Sequence, residues 1–207
     1  MDGNPNCNQI LGLDFGQTTG WSLFDRTTGM WSWGEIGLKE KAWEGGGVEF
    51  LRWRNWLEMR TTEDPWSQPG YLERALTPIG TCLAADPTAF LIAYEQVAGT
   101  AMGPAKRIID GQRAILLAHC ENHQIPYAAV NVSALKKWAT GKGSTPGKGT
   151  PKVGKEEMIA SVRDRWKEFA PNQRKPVKLT DNEADALLVG WWALREVAPP
   201  GWIGGSG

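Results

Sequence analysis

The sequence is poor in the residues that build disulfide frameworks and zinc sites. Its 207 residues include only 3 cysteines and 2 histidines. The cysteines (Cys7, Cys82 and Cys120) are odd in number, which argues against a disulfide framework and favours a reducing, cytoplasmic location. His119 and His123 flank Cys120 at helical spacing, but no further thiolate or carboxylate partners are near, and a structural zinc site needs four ligands. We therefore expect an ordinary helix end near solvent.

Long apolar runs are also missing. No segment approaches the roughly 20 apolar residues of a membrane span, and the polar N-terminus lacks the basic start and apolar run of a signal peptide. With 41% hydrophobic and 22% charged residues, the composition is that of a soluble globular protein. We predict one α/β domain over residues 1–197 and a loose C-terminal tail over residues 198–207.

Net charge is zero, but the two signs are unevenly distributed along the chain. Residues 1–100 hold 7 Lys/Arg against 13 Asp/Glu, and residues 101–207 hold 16 against 10. The region between Val132 and Lys155 contains no acid, and Gly and Pro residues make 140–154 a flexible basic loop. Lysine-rich segments bind polyanions such as DNA, although a solvated linker has the same composition. The six lysines are Lys136, Lys137, Lys142, Lys148, Lys152 and Lys155.

Apolar periodicity predicts a mixed α/β sheet, with three antiparallel strands followed by strand, helix, strand and helices. The 12 tryptophans fit core positions better than DNA-stacking positions. Strands are expected over 9–16, 21–24, 30–33, 89–94 and 126–132, and helices over 48–59, 105–122, 155–169 and 180–197.

Separated carboxylates at the ends of these elements indicate a metal site. Asp14 and Glu95 each end an apolar strand, where an unpaired charge is costly to bury. Asp181 and Asp185 lie four residues apart at the start of a helix and can share one face. Converging carboxylates suit Mg²⁺ or Mn²⁺, and two such ions can promote phosphodiester hydrolysis.

Each carboxylate also has a structural interpretation. Asp14 is suited to capping the turn at 16–20, and Glu95 to pairing with Arg113. Thr180 and Glu183 fit a helix capping box, which would leave Asp181 merely favouring the helix dipole. Asp185 alone lacks such an explanation. Taken together, the strand–strand–helix placement favours the metal site.

These residues resemble motifs of the RuvC family of Holliday-junction resolvases, in the same order along most of the chain. The matching segments are Leu11-Gly12-Leu13-Asp14-Phe15-Gly16 with Thr19-Gly20-Trp21, Glu95-Gln96-Val97, Gly111-Gln112-Arg113, Leu135-Lys136-Lys137-Trp138-Ala139-Thr140-Gly141, Lys155, and Ala184-Asp185-Ala186-Leu187.

The resemblance implies an RNase H-like fold and a homodimer that nicks two strands of a four-way junction symmetrically. It implies products with 5′-phosphate and 3′-hydroxyl ends. Asp14, Glu95 and Asp185 match the metal ligands. Lys136 and Lys155 match basic positions that contact the scissile phosphate, and the other lysines of the region are expected to bind DNA.

The chain departs from the family pattern at three places. Where members often have Asp or His three residues before the final Asp, this chain has Asn182, so we assign Asp181 as the fourth ligand, with Asn182 as the alternative. The aromatic residue that some members place after Glu-Gln-Val is absent. The basic loop is longer than in typical bacterial members. These differences point to a bacteriophage-type relative whose substrates include flaps and forks.

Two other functions compete with the nuclease. The segment Asp14-Phe15-Gly16-Gln17-Thr18-Thr19 also resembles the first phosphate loop of sugar kinases and actin-like ATPases, but those enzymes need two lobes and a second glycine-rich loop. The other alternative is a non-catalytic protein that binds branched DNA. Loss of the carboxylates would be expected there, yet they are present.

Overall fold

The computed structural model describes residues 8–16, 18–37, 90–96, 104–142 and 153–198. Several predicted features lie outside these ranges. They are the helix over 48–59, Lys148, Lys152, Cys7, Cys82 and residues 199–207 of the tail. Within them, the strands are β1 (Gln9–Asp14), β2 (Thr18–Asp25), β3 (Met30–Gly37), β4 (Phe90–Gln96) and β5 (Tyr127–Asn131). The helices are α1 (Pro104–His123), α2 (Val132–Thr140), α3 (Lys155–Phe169) and α4 (Asp181–Glu196). No helix of these ranges is long and apolar enough to cross a membrane.

The five strands form one mixed sheet in the order β3-β2-β1-β4-β5. β1 pairs antiparallel with β2, and β2 antiparallel with β3. β4 lies parallel to β1 on its other side, and β5 parallel to β4. This topology confirms the predicted order of three antiparallel strands followed by parallel ones. β1 is central and buried on both faces, which explains its nearly continuous apolar sequence.

Helix α4 lies directly on the face of the sheet formed by β1 and β2. A Cβ atom added at Gly20 would lie 2.0 Å from the Asn182 carbonyl oxygen, and one at Gly12 would lie 2.6 Å from the Ala186 carbonyl oxygen. The Ser22 hydroxyl also donates a hydrogen bond of 2.7 Å to the Ala186 carbonyl. Helix and strand backbones are therefore in contact, and only glycine fits at these two positions.

Three tryptophans form the core between α4, α3 and β3, which confirms the predicted core role at these positions. Trp31, Trp166 and Trp191 are all at most 2% exposed. Trp191 stacks on Phe169 with ring centroids 4.5 Å apart, and the Trp31 indole donates a hydrogen bond of 3.0 Å to the Phe169 carbonyl. Because aromatic side chains bury large areas each, this layer fixes the C-terminal half of α4.

The opposite face of the sheet packs against α1. Gln112 of α1 donates a 3.3 Å hydrogen bond to the hydroxyl of Thr19, which points away from α4 because its neighbour Gly20 contacts that helix.

The predicted helix end near solvent is confirmed, because the helix ends at His123 and Glu121 and Asn122 are exposed. Cys120 and His119, however, face the interior, with Cys120 fully buried and His119 5% exposed. Burial raises the pKa of the Cys120 thiol to about 12, so the thiol is protonated at neutral pH.

Helix α2 was not among the predicted elements. Its ends carry standard helix signals: the Asn131 side chain accepts a hydrogen bond from the Ser133 amide, and Gly141 ends the helix with φ 71°. Leu135 and Ala139 form its buried face. The Gly and Lys residues that follow are typical of a loop, and the helix is short. Likewise β2 begins at Thr18, inside the segment that was predicted as a turn.

Candidate active site

Asp14 and Glu95 lie side by side at the ends of two parallel strands. Their preceding neighbours Leu13 and Tyr94 are paired across β1 and β4, and adjacent strands lie about 4.8 Å apart. Because side chains alternate along a strand, Asp14 shares a face with Gly12, which α4 contacts. Both carboxylates are therefore placed on the α4 side of the sheet.

Asp185 brings a third carboxylate to this place from the first turns of α4. It lies next to Ala186, whose carbonyl accepts the Ser22 hydrogen bond. One of its carboxylate oxygens, Oδ1, is buried and has no hydrogen-bond partner. An unsatisfied buried carboxylate oxygen is costly unless another group, such as a cation, satisfies it.

The pKa values show that these three carboxylates interact. Burial raises the pKa of Asp14 well above its usual range, and the charges of Glu95 and Asp185 raise it further. Burial also raises the pKa of Glu95 to about 7, with Asp185 adding to the effect. The pKa of Asp185 rises to about 6, mainly through burial, against the opposing charge of Lys136. Such mutual perturbation is typical of functional sites.

The carboxylate oxygens of Asp14, Glu95 and Asp185 fit a hard divalent cation, although they do not lie close enough to coordinate one together. Among the described residues, no three acidic, histidine or cysteine side chains meet closely enough to hold a metal ion. Carboxylate oxygens are the ligand type that Mg²⁺ and Mn²⁺ prefer, and Oδ1 of Asp185 is a donor atom without a hydrogen-bond partner. Cation binding would therefore have to draw these side chains closer.

Asp181, the predicted fourth ligand, pairs with Lys155. The Lys155 ammonium donates a hydrogen bond to the Asp181 carboxylate, joining the first residue of α3 to the first residue of α4. This bond lowers the pKa of Asp181 and raises that of Lys155. The Asp181 charge still reaches Asp14 and Asp185. Asp181 and Lys155 thus both lie near the carboxylates, but they are paired with each other.

Of the predicted DNA-binding lysines that the structure describes, Lys136 is the one whose charge acts on all three carboxylates. Its charge opposes the raised pKa values of Asp14, Glu95 and Asp185, so α2 places it beside them. Lys137 is exposed on the same helix. Lys142 is also exposed and forms a 3.0 Å ion pair with Glu157.

The structural interpretation of Glu95 is not supported. Its proposed partner Arg113 contacts Asp110 instead, with a nitrogen–oxygen distance of 3.8 Å. The capping box at the start of α4 is present: the Thr180 hydroxyl accepts from the Glu183 amide, and the Glu183 carboxylate accepts from the Thr180 amide. Capping and site formation therefore coexist in this turn, because Asp181 and Asp185 play no part in the cap.

Glu35 is a site residue that sequence reasoning missed. From the edge strand β3, its carboxylate accepts a 2.9 Å hydrogen bond from the Asn182 side-chain amide and another from the Thr180 hydroxyl. The alternative fourth ligand, Asn182, is thus engaged with Glu35. Nothing in the local sequence of β3 marks Glu35, because the contact spans 147 positions of the chain.

Gln112, part of the Gly111-Gln112-Arg113 motif, is buried between α1 and the turn after Asp14. It is 1% exposed, and its side-chain amide donates to the Gly16 carbonyl at 3.1 Å and to the Thr19 hydroxyl at 3.3 Å. Gln112 therefore ties α1 to the turn that follows Asp14. The sequence signal for this position was a glutamine on an otherwise apolar helix face.

No family model and no curated protein matches this sequence. Among solved structures, T. thermophilus RuvC in complex with Holliday junction substrate is similar, with a TM-score of 0.51 and 13% identity over 88% of this chain and 90% of that chain. A second structure of Thermus thermophilus RuvC has a TM-score of 0.46 and 14% identity, over 88% of this chain and 90% of that one. The yeast mitochondrial Holliday junction resolvase Ydc2 has a TM-score of 0.48 and 16% identity, over 90% of this chain and 77% of its own. The chain has the RNase H-like fold that the resemblance to RuvC predicted.

Proposed function

We propose that this protein is a divalent-metal-dependent endonuclease that resolves four-way DNA junctions and also cuts related branches such as flaps and forks. The observation that carries the proposal is the group formed by Asp14, Glu95 and Asp185. These carboxylates come from two adjacent parallel strands and a helix, and each has a pKa raised mainly by burial and further by a neighbouring carboxylate. Such an arrangement is unfavourable without a cation, which supports a metal-dependent role.

Asp14, Glu95 and Asp185 are the residues that would hold the metal, with Asp181 as the fourth ligand. Bound there, a pair of Mg²⁺ or Mn²⁺ ions would supply an activated water and charge stabilisation for in-line phosphodiester hydrolysis, leaving 5′-phosphate and 3′-hydroxyl ends. For Asp181 to join them, its carboxylate has to turn away from Lys155.

Two lysines are placed to act on the phosphate. Lys136 already lies within electrostatic reach of all three carboxylates, and Lys155 is exposed at the start of α3. The N-terminal residues of α3 and α4 meet in the Lys155–Asp181 pair, and helix N-termini favour anions. We expect Lys136 and Lys155 to orient the scissile phosphate and to offset its repulsion by the carboxylates.

The phosphate-loop alternative has little support in the geometry. A loop that holds ATP phosphates needs accessible threonine and glycine groups. Thr19 is 2% exposed, and its hydroxyl bonds the Gly16 carbonyl and the Gln112 amide. That hydroxyl is directed into the protein and is not available for a nucleotide. Thermal stabilisation by ATP without DNA would reverse this assignment.

A cleavage panel tests the proposal. Four-way junction, fork, flap, linear duplex and single strand are each incubated with Mg²⁺, Mn²⁺ or EDTA. We expect metal-dependent cutting of the junction, which Asp14→Asn and Glu95→Gln abolish while junction binding remains. Slower cleavage is expected for Lys155→Ala. Binding without cleavage under all metal conditions would leave a non-catalytic branched-DNA-binding protein, and cleavage that survives in EDTA would exclude the metal mechanism.

We further propose a homodimer, because symmetric incision of a four-way junction needs two active sites, and a location in the cytoplasm of a bacterial or phage-infected cell. Light scattering coupled to gel filtration measures the dimer directly. A monomer at micromolar concentration that stays monomeric on junction DNA would contradict it.

A further inference from the structure

The segment that connects α3 to α4 carries a row of cations that sequence reasoning overlooked. Residues 171–180 contain two lysines and one arginine and no acid. Arg174, Lys175 and Lys178 are all exposed. None of them forms an ion pair or side-chain hydrogen bond within the described ranges, whereas Lys142 and Lys155 both do. Three uncompensated cations therefore face solvent in a short stretch.

Gln173 anchors this segment to the edge of the sheet. Its side-chain oxygen accepts a 2.6 Å hydrogen bond from the Trp31 amide, and its side-chain nitrogen donates to the Trp31 carbonyl at 2.8 Å. Its own carbonyl accepts from the Trp166 indole at 3.1 Å. The backbone beside Arg174 and Lys175 is thus fixed at Gln173, so a ligand does not have to order this end of the segment when it binds.

The segment leads straight into the carboxylate site. Lys178 precedes Asp181 by three residues and Lys175 precedes it by six, so their Cα atoms lie at most about 11 and 22 Å from that of Asp181. A DNA strand advances about 3.4 Å per nucleotide. A strand whose reacting phosphate lies at the carboxylates, and which runs along this segment, would therefore reach these cations within about six nucleotides.

Between the cations, Val177 adds an apolar contact surface. Its side chain is 77% exposed, the largest value among the exposed large hydrophobic side chains of the described residues. A polyanion with sugar and base surfaces between its phosphates offers a partner for both features. A small inorganic anion would use only the charges.

We propose that residues 174–178 form a second DNA-binding surface, which holds the phosphate backbone of one arm of the substrate beside the carboxylates. The proposal rests on the proposed nuclease function for its orientation, and it adds a contact region separate from the lysines of α2 and of the 140–154 loop. It predicts that the segment contributes to affinity and not to the chemical step.

The test compares two double variants that remove the same charges. Arg174→Gln with Lys175→Gln changes the segment, and Arg163→Gln with Lys167→Gln changes one exposed Arg and one exposed Lys on α3. Both are made in an Asp14→Asn background to prevent cutting, and circular dichroism checks their folding. Fluorescence anisotropy measures the Kd for a labelled four-way junction over a series of KCl concentrations.

We expect the segment variant to weaken binding about tenfold and to reduce the log–log salt slope by about 1.8, the value for two lost phosphate contacts. The α3 variant should change the slope by less than half of that. Lys178→Gln alone should reduce the slope by about 0.9. Equal weakening by the two double variants would mean a general charge effect and would overturn the proposal, as would unchanged binding.

Failure of this inference can be told apart from failure of the nuclease proposal. If the protein without the Asp14 substitution binds junctions but never cuts them, and the segment variant still weakens binding, the surface stands and the nuclease falls. If cutting occurs and the segment variant binds normally, only the surface falls. Labelled poly-glutamate serves as a second probe: tight binding that the segment variant abolishes, without an effect on DNA, would assign the surface to an acidic polypeptide and overturn the proposal.

Discussion

The two halves of α4 are held in opposite ways. The C-terminal half, from Leu187 to Leu194, is fixed by apolar contacts, and Trp191 lies among Trp31, Trp166 and Phe169. The N-terminal half carries Asp181 and Asp185. It contacts the sheet backbone at Gly12 and Gly20 and is further held by a hydrogen bond to Glu35 and by the Lys155–Asp181 ion pair. One half supplies stability, and the other concentrates negative charge that opposes folding. The comparison shows how a well-packed helix end can support an electrostatically unfavourable site at its other end.

The largest effect is expected where the apolar half is broken. Trp191→Ala removes a fully buried indole and should lower the free energy of unfolding by about 3–5 kcal/mol, because the cavity cannot be refilled. Urea denaturation measures this loss. Trp192→Ala is the matched control, since Trp192 is only partly buried and should cost less than half as much. Equal losses would show that the aromatic layer is not what fixes α4.

Removing charge from the polar half should have opposite effects on activity and stability. We expect Asp185→Asn to lower turnover by at least about a hundredfold, or roughly 3 kcal/mol of transition-state stabilisation. In EDTA at pH 8 the same variant should melt at a higher temperature than the parent protein, because a repelled buried charge is gone. Junction cleavage and a thermal melt are measured on one preparation. Persisting cleavage would show that Asp185 is not a ligand.

The pH dependence of stability provides a second measure of the repulsion among the carboxylates at the N-terminal half of α4. In the folded protein the pKa of Glu95 is about 7 and that of Asp185 about 6, both above the ordinary values of 4.5 and 3.8. The folded state therefore holds more protons than the unfolded state between about pH 4 and 7. The favourable contribution present below pH 4 is therefore lost as pH rises through 7.

Melting temperatures measured from pH 4.5 to 8 in EDTA should therefore fall as pH rises, and Mn²⁺ should reduce the fall because it neutralises the carboxylates. Asp185→Asn should flatten the EDTA curve. A curve in EDTA that rises through this range would show that the carboxylates do not repel one another in the folded protein.

The smallest effect concerns the contacts that orient the start of α4. Glu35→Gln should weaken the hydrogen bonds to Thr180 and Asn182 and cost about 0.5–1 kcal/mol of stability. Because these bonds orient the turn that carries Asp181 and Asp185, Mn²⁺ binding measured by electron paramagnetic resonance should weaken about two- to fivefold. Glu168→Gln is the control: Glu168 is an exposed carboxylate paired with Arg165 and Arg195. An equal change in both variants would mean that Glu35 has no special role.

The sequence revealed the parts of the site that depend on local pattern. Asp14 and Glu95 stand out because each ends an apolar strand, and Asp185 because no cap explains it. The sheet order follows from the same strands. Helix α2 escaped prediction because it has only nine residues, of which two are buried, so its periodicity is weak.

Contacts between distant residues were not predictable in this way. Glu35 and Asn182 meet only because β3 and the start of α4 lie side by side in the folded chain. The Lys155–Asp181 pair likewise depends on how α3 and α4 meet. The exposed cations of residues 174–178 were visible in the sequence, but their lack of partners and their fixed position could be learned only from the fold.

The glycines under α4 have a consequence for how the metal site can respond to its ligand. Since the backbones of the helix and the sheet are already in contact at Gly12 and Gly20, the helix cannot move closer to the sheet. Closure around a cation therefore has to come from rotation about the side-chain bonds of Asp14, Glu95, Asp181 and Asp185, within the few staggered states open to each. Because the helix and the sheet are fixed and only these side chains rotate, we expect the site to discriminate between cations of different radius more sharply than a site between two moving domains would.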